Sequence, residues 1–243
     1  MKVGVISDLH ANLPATETIL DYLNSQNVGA IFCAGDVVGF GANPNEVIEL
    51  IKQQQVSCVM GNYDNAVAYD EYTAGRVPST PRTEELKQSA LVWTQKNVKS
   101  NNKEYLKSLP LIAKYTIEGK SIKILHAGPN HLDEWIVPED ELRLENLQKT
   151  VQADIIIIGH THRAFACTVR DTLILNPGAV GRSLNGDTRA SSAILDTETR
   201  LVELISLDYD IESAVRSIQE SGMPQGVADL IRYGVSRIEK ILE

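Results

Sequence analysis

No run in this 243-residue chain reaches the roughly 20 consecutive apolar residues that a membrane helix needs. The N-terminal MKVGVISDLH has no extended apolar stretch behind its basic residue, so no membrane anchor is expected and the chain reads as cytoplasmic. Cysteine is scarce. Cys33, Cys58 and Cys167 are odd in number and lack CxxC spacing, which argues against a disulfide framework or a cysteine-based zinc site and predicts buried, reduced thiols. Positive charge is short as well: 23 Lys and Arg stand against 32 Asp and Glu, a net charge of −9. That balance weighs against long nucleic acid, whose binding relies on neutralising several phosphates. A small phosphorylated ligand stays open where metal ions supply the positive charge locally. Repeats, low-complexity tracts and interdomain linkers are also missing, so residues 1–243 read as a single domain able to bury its own core. Oligomeric state is left open.

What the chain does contain is an alternation of short β-branched runs with longer amphipathic segments. KVGVIS, AIFCAGD and SCVMGN predict strands separated by helices over residues 14–27 and 44–55, the pattern of βαβ units and a parallel sheet. Asn43 before Pro44, with Glu46 following, predicts a capped helix start with proline in its first turn. Residues 63–120 are more polar, broken early by Gly75, Pro78 and Pro81. They predict a helical cap or excursion with helices over 83–99 and 102–109. SIKILHAG and ADIIIIGH then read as two buried strands around a helix over 139–150. From Phe165 onward FACTVR, TLILNPG, SSAILD and RLVELISL predict antiparallel hairpins beside the first sheet, with turns at Arg170-Asp171 and Asn185-Gly186-Asp187. Residues 211–242 read as two amphipathic helices split by Gly222-Met223-Pro224.

The polar residues of interest fall at the ends of the predicted strands, where open α/β sheets place their ligands. Asp8 and His10 follow the first, Asp36 the second, Asn62, Tyr63 and Asp64 the third, His126 the strand after the excursion, and His160 and His162 the isoleucine run. His131, on the loop after His126, completes the five histidines. Each residue alone has an ordinary structural reading, since Asp and Asn after glycine are common turn formers and a single histidine is more often a hydrogen-bonded core residue. Together they form a set of carboxylate, amide and imidazole donors without thiolate, which suits Mn, Fe, Zn, Co or Ni. In an extended segment His160 and His162 project to one face, and Gly159 permits a close turn.

In order, Asp8-x-His10, Gly35-Asp36, Gly61-Asn62-x-Asp64, His126 and Gly159-His160-x-His162 resemble the calcineurin-like metallophosphoesterase superfamily, most closely its small bacterial and archaeal phosphodiesterases and dinucleoside tetraphosphate hydrolases. The turn Asn176-Pro177-Gly178 agrees with the resemblance. What it implies is an α/β fold: a two-sheet β-sandwich with helices on both outer sides, in four αββα layers. It also implies two divalent metal ions, manganese first. One would be held by Asp8, His10, Asp36 and His162, the other by Asp36, Asn62, His126 and His160, with Asp36 shared. The implied reaction is hydroxide attack on the phosphorus of a phosphodiester or phosphoanhydride, with Asn62 orienting the phosphate. A phosphomonoesterase, or a metal- and nucleotide-binding scaffold without turnover, is the alternative, although every expected ligand type is present. One departure stands out: Tyr63 occupies the place of a histidine thought to protonate the leaving oxygen in many members. Tyr63 is either a weaker acid or pocket wall, and His131 either a replacement acid or a loop surface residue. Arg182 and Arg189 are candidate phosphate contacts or solvated hairpin charges. Trp93 and Trp135 are candidate base-stacking or core residues.

Overall fold

Four consecutive isoleucines imply burial on two faces, and the computed structural model, which describes residues 1–75 and 80–241, shows why. Pro78 and Leu242, included in the expectations above, lie outside the described residues. Ile155 and Ile157 point into the space between two sheets, while Ile156 and Ile158 point out toward a helix layer.

The chain runs β1 (Lys2–Ile6), α1 (Leu13–Ser25), β2 (Ile31–Cys33), α2 (Pro44–Gln53), β3 (Ser57–Cys58), α3 (Asn62–Ala68), α4 (Pro81–Asn97), α5 (Ser100–Ser108), β4 (Ile112–Ile117) and β5 (Lys120–Leu125). It continues with α6 (Glu141–Val151), β6 (Ile155–Ile157), β7 (Ala164–Val169), β8 (Thr172–Pro177), β9 (Ala190–Asp196), β10 (Val202–Leu207), α7 (Ile211–Glu220) and α8 (Gln225–Arg232), then a 3-10 turn at Ile238–Ile241. Two five-stranded sheets result, ordered β10-β9-β1-β2-β3 and β4-β5-β6-β8-β7. β1, β2 and β3 are parallel, as are β5, β6 and β8, and the remaining strands add antiparallel edges to both sheets.

Val3, Val5 and Phe32 of the first sheet pack against Ile122, Ile124 and Leu173 of the second. On the far side of the first sheet, Ile6 and Cys33 meet Ile19 and Leu20 of α1 and Val47, Ile48 and Ile51 of α2. On the far side of the second, Ile156 and Ile174 meet Leu144 and Leu147 of α6. The expected αββα layering is therefore present.

Several local expectations need correction. The later hairpins do not both flank the first sheet: β9 and β10 extend it, whereas β7 and β8 extend the second. Residues 185–187 are accordingly a crossing between sheets and not a hairpin turn. α3 and β4 were not foreseen. α3 is one short helix starting within the polar motif, and β4 is an edge strand in which only Ala113 is buried, so its apolar alternation is faint. The excursion does not stand off as a cap, since Ala66, Leu91 and Leu106 join the core beneath α1 and α2. At α2, Pro44 occupies the first turn as expected, but the Asn43 side chain makes no capping bond; its backbone N–H donates to the Ala11 carbonyl instead. Cys33 and Cys58 are buried free thiols, and Cys167 is half-buried.

Candidate metal centre

Asp8 and His10 follow β1, Asp36 follows β2, Asn62 follows β3, His126 follows β5, and His160 and His162 follow β6. The carboxyl ends of parallel strands from both sheets thus meet at one edge of the sandwich. The loops that turn there are bent hard. Asp8, His10, Asp36, His160 and His162 all have left-handed backbones, with φ of 54°, 46°, 53°, 66° and 55°. Non-glycine residues seldom adopt that region, and such strain concentrates at functional sites. Because β6 ends at Ile157, the histidine pair is set by two left-handed residues and not by strand alternation, which corrects the expectation of a shared extended face. Gly61 and Gly159 make room for this crowding: a Cβ would lie 2.1 Å from Asp36 Oδ1 at the first and 1.9 Å from Ser7 Oγ at the second.

Hydrogen bonds behind the rings fix their tautomers. His162 Nδ1 lies 2.5 Å from the Arg182 carbonyl, His126 Nδ1 2.7 Å from that of Ala34, and His10 Nδ1 3.3 Å from that of Val38. A carbonyl only accepts, so each Nδ1 donates and, in the neutral form of the ring, the Nε2 lone pair turns inward. Those lone pairs face other acceptors. His162 Nε2 is 3.2 Å from His10 Nε2 and 3.3 Å from Asp8 Oδ1, and His126 Nε2 is 2.8 Å from Asn62 Oδ1. Asp36 Oδ2 lies 3.8 Å from His10 Nε2 and 3.6 Å from His126 Nε2, between the two halves of the cluster. Asp8 Oδ1 is buried without a hydrogen-bond partner. Asn62 Nδ2 donates to the Ala74 carbonyl, so its oxygen faces His126 and, at 3.0 Å, His160 Nδ1.

Acceptors converging without intervening hydrogens repel one another, and a cation between them removes that cost. Two triads have the spacing to share one: Asp8, His10 and His162, and Asp8, Asp36 and His126. Asp8 is common to both triads, while Asp36, the expected shared ligand, also faces imidazoles of each. Burial, together with His162, pushes the His10 pKa well below the ordinary imidazole value; burial lowers that of His126, and burial with His126 brings His160 to about 3. Burial, then the charges of Asp64 and Asp8, pushes Asp36 well above the usual carboxylate range. Neutral imidazoles are what metal ligation requires.

The other expected residues are distributed unevenly. Asp64 is fully buried and does not face the cluster; Oδ1 accepts from Val38 N–H at 3.1 Å and Oδ2 from Gly61 N–H at 3.0 Å. Tyr63 packs edge-on to His10 at 5.3 Å and against Phe40 at 5.0 Å, and burial raises its pKa, which weakens it as an acid. His131 is exposed, its backbone N–H bonded to Glu134, and it lies outside the cavity over the cluster. His10, His126, His160 and His162 converge, and His131 stands apart. Arg189 is likewise outside the cavity, exposed and paired with Asp187. Arg182 is not the solvated charge that its hairpin-like sequence suggested: it is 6% exposed, lies 4.0 Å from the Phe40 ring centroid, and leaves Nε and Nη2 without partners. Trp93 donates to the Ser221 carbonyl as a packing residue, and Trp135 stands edge-on to His160 at 5.7 Å on the cavity wall. Phe40 carried no chemical signal in the sequence, and Asn176 was noted there only as part of a turn. Phe40 braces His10 and Arg182, and Asn176 Nδ2 donates to the Gly159 carbonyl at 2.7 Å, pinning the histidine loop.

The profile of the calcineurin-like phosphoesterase superfamily domain matches residues 1–200. An uncharacterized protein of Methanocaldococcus jannaschii is 32% identical, the alignment covering 96% of this chain and 98% of that one. Among solved structures, a metallophosphoesterase from Sphaerobacter thermophilus superposes with a TM-score of 0.77 at 27% identity, covering 97% and 99% of the two chains. A hypothetical protein from Pyrococcus horikoshii superposes at 0.84 with 20% identity and the same coverage, a likeness of fold alone. The chain belongs to the calcineurin-like phosphoesterase superfamily and is a metal-dependent phosphoric ester hydrolase.

Proposed function

We propose that the protein hydrolyses phosphodiesters or phosphoanhydrides, dinucleoside polyphosphates among them, using two divalent cations with manganese as the first choice. Asp8, His10, Asp36 and His162 would hold one and Asp36, Asn62, His126 and His160 the other. The observation that carries this reading is the buried convergence of Asp8 Oδ1, His10 Nε2 and His162 Nε2, with His162 Nε2 3.2 Å from His10 Nε2 and 3.3 Å from Asp8 Oδ1. Cations held there supply Lewis acidity toward phosphoryl oxygens and bring the deprotonation of a water within reach near neutral pH. The chain's own residues do the positioning. Asn62 and Arg182 orient the phosphate, the guanidinium supplying two unpartnered N–H groups. Phe40 and Tyr63 shield His10 from water. The shared cores that join α3, α4 and α5 to the sandwich support treating residues 1–243 as one working unit.

The experiment compares an aryl phosphodiester, the matching monoester and a dinucleoside tetraphosphate, each incubated with metal-stripped protein before and after adding Mn²⁺. Metal-dependent turnover of the diester or tetraphosphate ahead of the monoester supports the assignment, and preference for the monoester sinks it. Calorimetry of the same samples has an expected outcome too. By binding linkage alone, at about 100 times Kd the metal raises stability by about 3 kcal/mol and Tm by about 5–10 °C.

Tyr63 carries a separate expectation. Its raised pKa makes it a poor proton donor, so the native enzyme favours leaving groups that need little protonation. Tyr63→His is expected to raise the rate on alkyl esters relative to aryl esters by about tenfold or more. An unchanged alkyl-to-aryl ratio would assign the side chain to packing alone.

A further inference from the structure

The cavity over the metal cluster extends well beyond it, and its volume of about 340 Å³ is on the scale of a small-molecule site. The cluster forms one end. The other is walled by Glu84 and Lys87 of α4 and by Arg237, which precedes the 3-10 turn, with Arg182 also on the wall. In a chain with a net charge of −9, the lining thus holds three cations, Lys87 and Arg237 at this end and Arg182 nearer the cluster, and among the described residues Glu84 is the carboxylate at this end.

None of the three is well compensated. Arg182 is buried with two nitrogens unpartnered, and burying an unpaired guanidinium is costly. Lys87 is half-buried, and among the described residues its one ion-pair partner is Glu84, at 3.5 Å. Burial lowers its pKa; Glu84 opposes that and Arg182 adds to it, so the two cations sense each other. Arg237 is exposed to the cavity and makes no ion pair among the described residues. The backbone that follows it is held in place, because Glu239 accepts from Thr80 Oγ1 at 2.7 Å and Thr83 Oγ1 at 3.0 Å, and Ile238 N–H donates to Thr83 Oγ1 at 3.1 Å. These bonds tie the C-terminal turn to the start of α4. Arg237 also lies past residue 200, where the superfamily match ends.

We propose that Lys87 and Arg237 form a subsite for a second phosphoryl group of the substrate, so that compounds carrying two phosphates are preferred over those carrying one. A cation pair of this kind suits phosphate, the lysine as a point charge and the arginine as a two-pronged donor. The proposal rests on the phosphoesterase reading for the identity of the first phosphate, which sits at the metal cluster beside Arg182.

Titration calorimetry on the Mn²⁺-loaded full chain tests it, with adenosine 3′,5′-bisphosphate and adenosine 5′-monophosphate as probes. The bisphosphate is expected to bind about tenfold tighter or better. In Lys87→Ala/Arg237→Ala that ratio should fall to about one while monophosphate affinity stays within about twofold. Arg237→Glu, at an exposed position with little bearing on folding, should reduce the ratio on its own. Equal affinities in the native protein, or a ratio that survives both variants, overturns the subsite. Turnover of an aryl phosphodiester, followed in parallel, separates the two readings. Turnover without the affinity contrast removes the subsite alone, and the contrast without turnover removes catalysis while leaving the subsite standing.

Discussion

His162→Ala is expected to lower Mn²⁺-dependent phosphodiester hydrolysis on the order of 10³-fold, about 4 kcal/mol of transition-state stabilisation. His162 contributes one of three donor atoms in the Asp8, His10, His162 triad, and its loss leaves a cation there with two protein ligands from that group. A general loss of folding would lower activity as well, so the stability readout matters. In the metal-free protein the His162 ring crowds the His10 ring, Nε2 to Nε2 at 3.2 Å, and deleting it relieves that crowding while removing its bond to the Arg182 carbonyl. These effects oppose each other. The Tm of the metal-free variant should therefore stay within a few degrees of the native one, while the increment gained on adding Mn²⁺ shrinks by at least half. A variant that loses activity through collapse of its metal-free fold, with the Mn²⁺ increment intact, would show that His162 is structural.

Asp64→Ala is expected to produce the largest stability loss of any single carboxylate in the site, about 2–5 kcal/mol, or about 5–15 °C in Tm. Its two oxygens accept from Val38 N–H and Gly61 N–H, which belong to the loops after β2 and β3. One buried carboxylate thus staples the loop that carries Asp36 to the loop that carries Asn62. Alanine leaves both N–H groups buried without acceptors. Burial raises the Asp64 pKa to about 6, against the pull of those backbone bonds, so the carboxyl is costly to keep inside and is retained for the bonds it makes. Asp64→Asn keeps one acceptor oxygen and should recover about half of the loss. Activity should follow stability only in part, since a displacement of Asp36 by about 1 Å costs roughly 10²-fold. Full activity in a destabilised Asp64→Ala protein would mean that the staple does not position Asp36.

How much of this was legible beforehand depends on what local sequence encodes. The βαβ rhythm, the strand ends and the order of Asp8, Asp36, Asn62, His126 and His162 could all be read, because each donor follows directly on an apolar run whose burial fixes its position. β4 escaped notice because an edge strand with one buried residue has no apolar period to detect. The partition of β7 to β10 between two sheets depends on pairings across more than 100 residues, such as Val3 with Leu195, that no local pattern carries. The same holds for the cavity. Arg182 reads as a hairpin charge until Phe40, distant in sequence, is found 4.0 Å from it, and Arg237 reads as a surface residue until Glu239 is seen bonded to Thr80 and Thr83. His131 could be read two ways for the converse reason: it stands near His126 in sequence, but its loop turns its backbone to Glu134 and leaves the ring in solvent.

The most direct test is a crystal of the protein equilibrated with Mn²⁺ and measured at the manganese absorption edge. The expected result is two anomalous peaks within the cluster, one bounded by Asp8, His10, Asp36 and His162 and the other by Asp36, Asn62, His126 and His160. Peaks confined to the protein surface, with the His10 and His162 rings still facing each other across an empty cluster, would contradict the assignment of these residues as metal ligands.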